Sequence, residues 1–188
     1  SSIDSLMVVT KARMRSTVHR PVVLDYVGIR RVDASGKQIG EHRFLGLFSS
    51  AAYNQSVTNI PVLSSKVADV TESMALGRDS HSGKDLMQFL ETYPRDEMFQ
   101  ISPDELVEVA RRVLQLQERR QVRVFTRTEV FGRYVSVLVY FPRDRHTTEV
   151  RLRMEAILLL TYGATSIEHT ARVSESVLAR LHFVIRKP

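Results

Sequence analysis

Residues 90–101 read Leu90-Glu91-Thr92-Tyr93-Pro94-Arg95-Asp96-Glu97-Met98-Phe99-Gln100-Ile101, and the fold turns on how this run is divided. Pro94 has no N–H and pushes Tyr93 out of helical dihedrals, so a helix arriving from upstream ends here. After the charged turn, residues 97–101 are expected to form a short strand. Ser102-Pro103-Asp104-Glu105 then opens a helix: Ser102 caps, Pro103 takes the first position, and Glu105 returns a hydrogen bond. Leu106, Val109, Ala110, Val113 and Leu116 recur on one face of it. A boundary between two modules, 1–95 and 96–188, is expected at this turn.

Downstream, Val122 and Val124 alternate with Arg123 and Arg127, and Val135, Val137, Val139 and Phe141 line one side of a second strand, with Gly132 at the turn. Thr147 or Asp144 can cap a helix carrying Val150, Met154, Ile157 and Leu158 and ending at Gly163. The last two strands pair best with Ala171 opposite Ala179 and Ile167 opposite Phe183, leaving Ser174-Glu175-Ser176 as the turn. A one-residue slip would turn Arg180 and His182 inward. The order strand, helix, strand, strand, helix, strand predicts a split βαβ, ferredoxin-like sheet.

Upstream, Val8, Ala12 and Met14 alternate with Lys11, Arg13 and Arg15. Residues 22–32 and 38–48 flank Asp33-Ala34-Ser35-Gly36-Lys37, so three strands form an antiparallel meander. Gly28 and Gly46 inside these strands suggest bulges or a close approach. Two helices follow, one with Leu63, Val67, Val70 and Met74, the other with Leu86, Phe89, Leu90 and Tyr93. The fold class is α+β, a meander with two helices followed by a βαββαβ domain.

With no cysteine, the chain holds neither disulfide nor thiolate, which is compatible with a reducing compartment. The longest apolar stretch, Ala156 to Leu160, is far below the roughly 18 to 20 residues of a membrane span. The net charge of +6 raises nucleic acid as a partner, but Lys and Arg are spread along the chain. The eight glycines never form the Gly-x-Gly-x-x-Gly turn that lets a backbone approach a pyrophosphate. Residues binding a dinucleotide cofactor are therefore expected to be absent, and none of the six histidines shows the close spacing of a metal pair. His169 and His182 are the nearest to a metal pair, and in the expected register they point to opposite faces. His169 is read as a hydrogen-bonded core residue.

The run Tyr-Pro-Arg-Asp-Glu-Met-Phe-Gln at 93–100 resembles a pattern in the large NAD-specific glutamate dehydrogenases of bacteria. So do Leu24 to Gly28, Arg43 to Tyr53, Leu114 to Arg119, and Tyr140 to Arg145. The resemblance implies a non-catalytic N-terminal regulatory region with a PAS-like module and an ACT domain. It further implies NAD and a lysine-containing active site in a separate domain of the parent, a cytoplasmic homo-oligomer, and other domains and subunits of the same enzyme as partners. ACT domains often bind amino acids at a glycine-containing turn between first strand and first helix. The corresponding turn here, Gln100-Ile101-Ser102-Pro103, has no glycine, so an amino-acid effector is a secondary expectation.

Two groups of residues stand out. Arg95 and Asp96 at the turn, and Arg143 and Arg145 ahead of a helix N-terminus, are candidates for an anionic effector. The favoured alternatives are a structural turn for the first pair and solvated charge for the second. Phe125, Tyr134, Leu138 and Tyr140, with Arg123 and Arg127, mark the outward face of the second sheet. A packing surface for another domain is preferred there to base stacking on RNA. A free-standing amino-acid sensor is the rival reading of the whole chain.

Overall fold

The computed structural model describes residues 6–18, 21–77, 79–116, 121–174 and 176–186. Its elements in chain order are β1 (Met7–Arg15), β2 (Val23–Val32), β3 (Gln38–Gly46), α1 (Ser50–Asn54), a 3-10 turn (Val57–Asn59), α2 (Pro61–Met74), α3 (His81–Thr92), α4 (Arg95–Gln100), α5 (Pro103–Leu116), β4 (Arg123–Thr128), β5 (Tyr134–Pro142), a 3-10 turn (Arg143–Arg145), α6 (Thr148–Tyr162), β6 (Ser166–Arg172) and β7 (Leu178–Arg186). They gather into two compact units, one from residues 1–72 and 90–104, the other from 73–89 and 105–188. The expected division after residue 95 falls inside the 90–104 segment of the first unit.

In the first unit β1, β2 and β3 form an antiparallel meander in that order. Asp33 closes the β2–β3 turn by accepting from the backbone N–H groups of Ser35 (2.9 Å) and Lys37 (3.0 Å). Gly28 answers the expectation of a close approach: a Cβ there would lie 2.3 Å from Glu41 Oε1. The Glu41 carboxylate lies across it and is held by Tyr26 Oη and Arg43 Nε, each at 2.8 Å. Gly46 shows no such contact. The apolar centre of the unit comes from Val57, Leu63, Val67, Val70, Leu90, Tyr93, Met98, Phe99 and Ile101, all under 9% exposed. Phe48 stacks on Phe99 at 4.6 Å.

The strand expected at residues 97–101 is a helix, α4. Met98 N–H bonds to Pro94 O and Ile101 N–H to Glu97 O, both at 2.8 Å. Asp96 and Glu97 occupy the first turn, where the helix dipole favours negative charge. Glu97, Met98 and Phe99 are consecutive buried residues, which a strand with one wet face cannot provide.

In the second unit the sheet order is β4-β5-β7-β6, antiparallel throughout. The element order β5–α6–β6, with β7 inserted between the two strands, is a split βαβ unit of the ferredoxin-like kind. Residues 97–101 add no strand to this sheet; its place between β5 and β6 is filled by the C-terminal β7. That strand pairs on both sides, which is why Leu178, Ala179, Leu181, His182, Phe183 and Ile185 are all buried. The β6–β7 register is Ile167↔Ile185 and Ala171↔Leu181, two residues from the expected pairing. A shift of two leaves every side chain on its expected face. The loop is correspondingly wider than the expected 174–176 turn, of which Glu175 lies outside the described residues.

One face of this sheet carries Val135, Val137, Val139, Phe141, Ala179, Leu181, Phe183 and Ile185, packed with Met154, Leu158 and Tyr162 of α6. Helix α6 begins at Thr147, whose Oγ1 accepts from Val150 N–H at 3.2 Å. It ends at Gly163, whose φ of 57° favours glycine.

Candidate functional site

The sequence-selected turn sits in a polar cluster of the first unit. Lys11 Nζ lies 2.6 Å from Asp25 Oδ1 and 3.0 Å from Asp96 Oδ1. Tyr53 Oη donates to the same Asp96 oxygen at 3.0 Å, and Phe48 N–H donates to Asp25 Oδ2 at 2.8 Å. Burial works against the Lys11 charge, but the Asp96 carboxylate and the Asp25 hydrogen bond outweigh it and hold its pKa above the usual lysine value. A lysine serving as nucleophile or Schiff-base former needs the opposite shift. The cluster therefore works as a clasp joining β1 and β2 to α1 and α4.

Arg95, one residue away, donates from Nη2 to Gln55 O (2.8 Å) and Glu91 Oε2 (3.3 Å), while its buried Nε and Nη1 have no hydrogen-bond partner. Glu91 also accepts from Ser56 Oγ and, at 3.3 Å, from Val57 N–H. Desolvation opposes its charge, yet these donors and Arg95 bring its pKa below the ordinary carboxylate range. Lys66, only 4% exposed, donates to Met98 O (2.9 Å) and Ile101 O (2.5 Å), carbonyls at the end of α4.

The other candidates lie elsewhere. Arg143 donates from Nη1 to Ser174 O, and its N–H to Val177 O, both at 2.9 Å, so it fastens the β6–β7 loop. Arg145 is exposed. On the second sheet, Tyr134, Leu138 and Tyr140 are 4%, 2% and 7% exposed, so the face expected to be open is closed within the chain. Besides α6, the unit holds the first part of α3 and α5, whose buried Leu86, Phe89, Leu106, Val109 and Val113 are available to cover it. Phe125 and Arg127 are half-buried and Arg123 exposed. A stacking platform for bases needs open aromatic rings, which this face does not offer.

His182 Nε2 lies 2.9 Å from Ser136 Oγ, a nucleophile-and-base pairing by chemistry, but both residues are under 9% exposed. His169 is on the opposite face, its Nδ1 3.0 Å from Glu155 Oε1. Its side chain is 37% exposed, so it is not the core residue expected. No group of three or more His, Cys, Asp or Glu able to hold a metal forms among the described residues. Among the described residues Gly36 and Gly132 serve hairpin turns and Gly163 a helix end.

Glu129, to which no sequence pattern points, is a heavily bonded carboxylate at the β4–β5 turn. It accepts from Phe131 N–H (3.0 Å), Arg133 N–H (3.2 Å), Arg133 Nε (3.3 Å) and Arg133 Nη2 (2.6 Å). Its side chain is fully buried. A Glu and an Arg four apart ordinarily read as a helical pair. Gly132 between them, at φ 70°, is the signal that they close a hairpin instead.

Residues 60–119, which hold the helices α2–α5, match the family described as glutamate dehydrogenase, helical motif 1, and residues 123–188 match glutamate dehydrogenase, ACT2 domain. The chain is 42% identical over 184 residues to an NAD-specific glutamate dehydrogenase of Halomonas elongata, 44% over 181 to one of Pseudomonas aeruginosa, and 42% over 186 to one of Mycobacterium tuberculosis. These alignments take in 96–98% of the chain but 11% of each relative. No helix among the described residues is long and apolar enough to cross a membrane. With residues 60–119 and 123–188 matched and the split βαβ sheet lying where the ACT2 domain aligns, the chain belongs to the NAD-specific glutamate dehydrogenase family.

Proposed function

We propose that this chain is a non-catalytic regulatory and assembly segment of an NAD-specific glutamate dehydrogenase, whose whole enzyme oxidatively deaminates L-glutamate to 2-oxoglutarate with NAD. The observation that carries the reading is the alignment of almost the entire chain with about a ninth of each relative. Its charged groups support it: Lys11, Arg95 and Glu91 are engaged in holding elements together. In this reading the meander is a PAS-like module, the second sheet an ACT module, and their partners are other domains and subunits of a cytoplasmic oligomer. Transmission of an effector signal would earn the word allosteric only with two coupled sites.

The purified 188-residue chain is expected to show no NADH formation with L-glutamate and NAD. Deleting the corresponding segment from the Pseudomonas aeruginosa relative is expected to change its assembly or its response to effectors. Turnover by the isolated chain, or a deletion variant unaltered in both respects, overturns the reading.

A further inference from the structure

Helix α6 is apolar on both sides. Met154, Leu158 and Tyr162 pack on the core of the second sheet. On the outward side Leu152, Ile157 and Leu160 are 51%, 62% and 85% exposed, and Ala156 among them is exposed as well. Helix α5 of the same unit, by contrast, keeps Leu106, Val109, Ala110, Val113 and Leu116 on one buried face. A surface helix ordinarily turns charge outward, and one that is apolar all round is a covered helix.

The outward residues are ordered. Leu152, Ala156 and Leu160 follow one another at intervals of four, so they stand in one row along the helix, with Ile157 beside it. From Ala156 to Gly163 there is no charged residue. The charge this face does carry, Glu149 and Arg153 near its start, is paired within the helix at 3.7 Å. The row therefore offers no net charge and reads the same in both directions, leucine to alanine to leucine. Next to it the edge strand β6 exposes Glu168 and Arg172, charge of the kind that blunts strand pairing, so contact on this side falls to the helix.

We infer that the outward face of α6 docks on the same face of a second copy of this chain, the two helices running antiparallel about a two-fold axis at Ala156. Leu152 of one protomer then lies beside the partner's Leu160, and the contact is made twice, as an isologous interface requires. The small Ala156 side chain at the crossing lets the helix axes close to the ~8 Å end of the packing range. A parallel arrangement would set Glu149 against Glu149 and Arg153 against Arg153. The antiparallel one brings each charged first turn to the partner's uncharged last turn and opposes the two helix dipoles. A neutral, self-complementary row fits a copy of itself better than it fits a strongly charged partner. One helix a side is smaller than the ~800 Å² per partner of a standard interface, so the contact is weak alone and gains from the effective concentration inside a larger assembly. The inference deepens the proposed assembly role and rests on it.

Sedimentation velocity of the 188-residue chain over a concentration series tests it. A reversible monomer–dimer equilibrium is expected, with a Kd on the order of tens of micromolar for so small an apolar contact. Leu160→Lys and Leu152→Glu each alter a position used twice per dimer, at about tenfold per lost leucine contact, so each is expected to weaken association about a hundredfold. Both positions are exposed in the single chain, so the dilute variants are expected to melt with the parent. Mixing the two variants is expected to restore a dimer. Across the antiparallel axis the new ammonium of one faces the new carboxylate of the other, and the second leucine contact is intact. A chain monomeric at every concentration, a dimer indifferent to both variants, or a mixture that stays monomeric overturns the inference. Capture of the chain by another segment of the Pseudomonas aeruginosa relative, lost on Leu160→Lys, overturns it too by assigning another occupant. Failure to self-associate removes this inference alone, whereas dehydrogenase turnover by the chain removes the reading beneath it.

Discussion

Glu129→Ala is expected to destabilise the second unit by about 3 kcal/mol, more than any other single turn substitution, because it strips the acceptor from two backbone N–H groups and a guanidinium at once. The Glu129 side chain is fully buried, so water does not replace it freely, while Arg133 at 20% exposure recovers part of its hydration. That partial recovery keeps the expected cost at the lower end of the range for breaking a buried pair. Glu129→Gln retains one acceptor of the same shape and is expected to lose about half as much. Gly132 at φ 70° holds the turn in the same geometry, so Gly132→Ala adds strain to a site whose carboxylate is still in place. Urea midpoints with unchanged slope measure these differences, and a Glu129→Ala protein within 0.5 kcal/mol of the parent, about the ordinary surface effect, removes the staple from the account.

That hairpin shows what the sequence conveys and what it hides. The strands on either side are legible because Val135, Val137, Val139 and Phe141 keep a period of two, and the helix start at Ser102-Pro103 and the end at Gly163 follow from backbone chemistry alone. Residues 97–101 are not legible as a helix because five residues are too few for either period to declare itself, and the acidic first turn that marks a helix also looks like a charged loop. The pattern of β7, Leu178-Ala179-Arg180-Leu181-His182-Phe183-Val184-Ile185, is nearly continuous in apolar character, as a strand paired on both sides and covered on both faces requires. Tyr134, Leu138 and Tyr140 share the face that alternation leaves outward. Alternation tells which residues share a face of a sheet but not whether helices cover that face, and here both faces are covered. The Lys11, Asp25, Tyr53 and Asp96 clasp was half visible: Asp96 stood out at the turn, but its partners are up to 85 residues away in sequence and no local pattern joins them.

Stability is expected to fall steeply between about pH 10 and pH 12, and the clasp supplies two of the three groups responsible. Desolvation and the nearby Asp96 charge push the Tyr53 hydroxyl up to about 12, against a smaller opposing effect of Lys11. Burial pushes Tyr140, at the centre of the second sheet, up to about 12 as well, with Arg180 opposing. Lys11 is also raised, for the reasons given above. In each case the folded pKa exceeds the unfolded value of about 10, so the folded state binds more protons in this window. A raised pKa contributes stability that is complete below the unfolded value and is lost as pH rises through the folded one. With three such groups the loss reaches at most about 4 kcal/mol per pH unit, before coupling between Lys11 and Tyr53 reduces it. Tyr140→Phe removes one titrating proton from a different unit and is expected to lower the slope by about a third without touching the clasp. Urea midpoints across the window, read alongside tyrosinate absorbance, measure both. If midpoints stay flat to pH 12, or if all six tyrosines ionise near pH 10 while the fold persists, these hydroxyls are not buried against their charge as the structure places them.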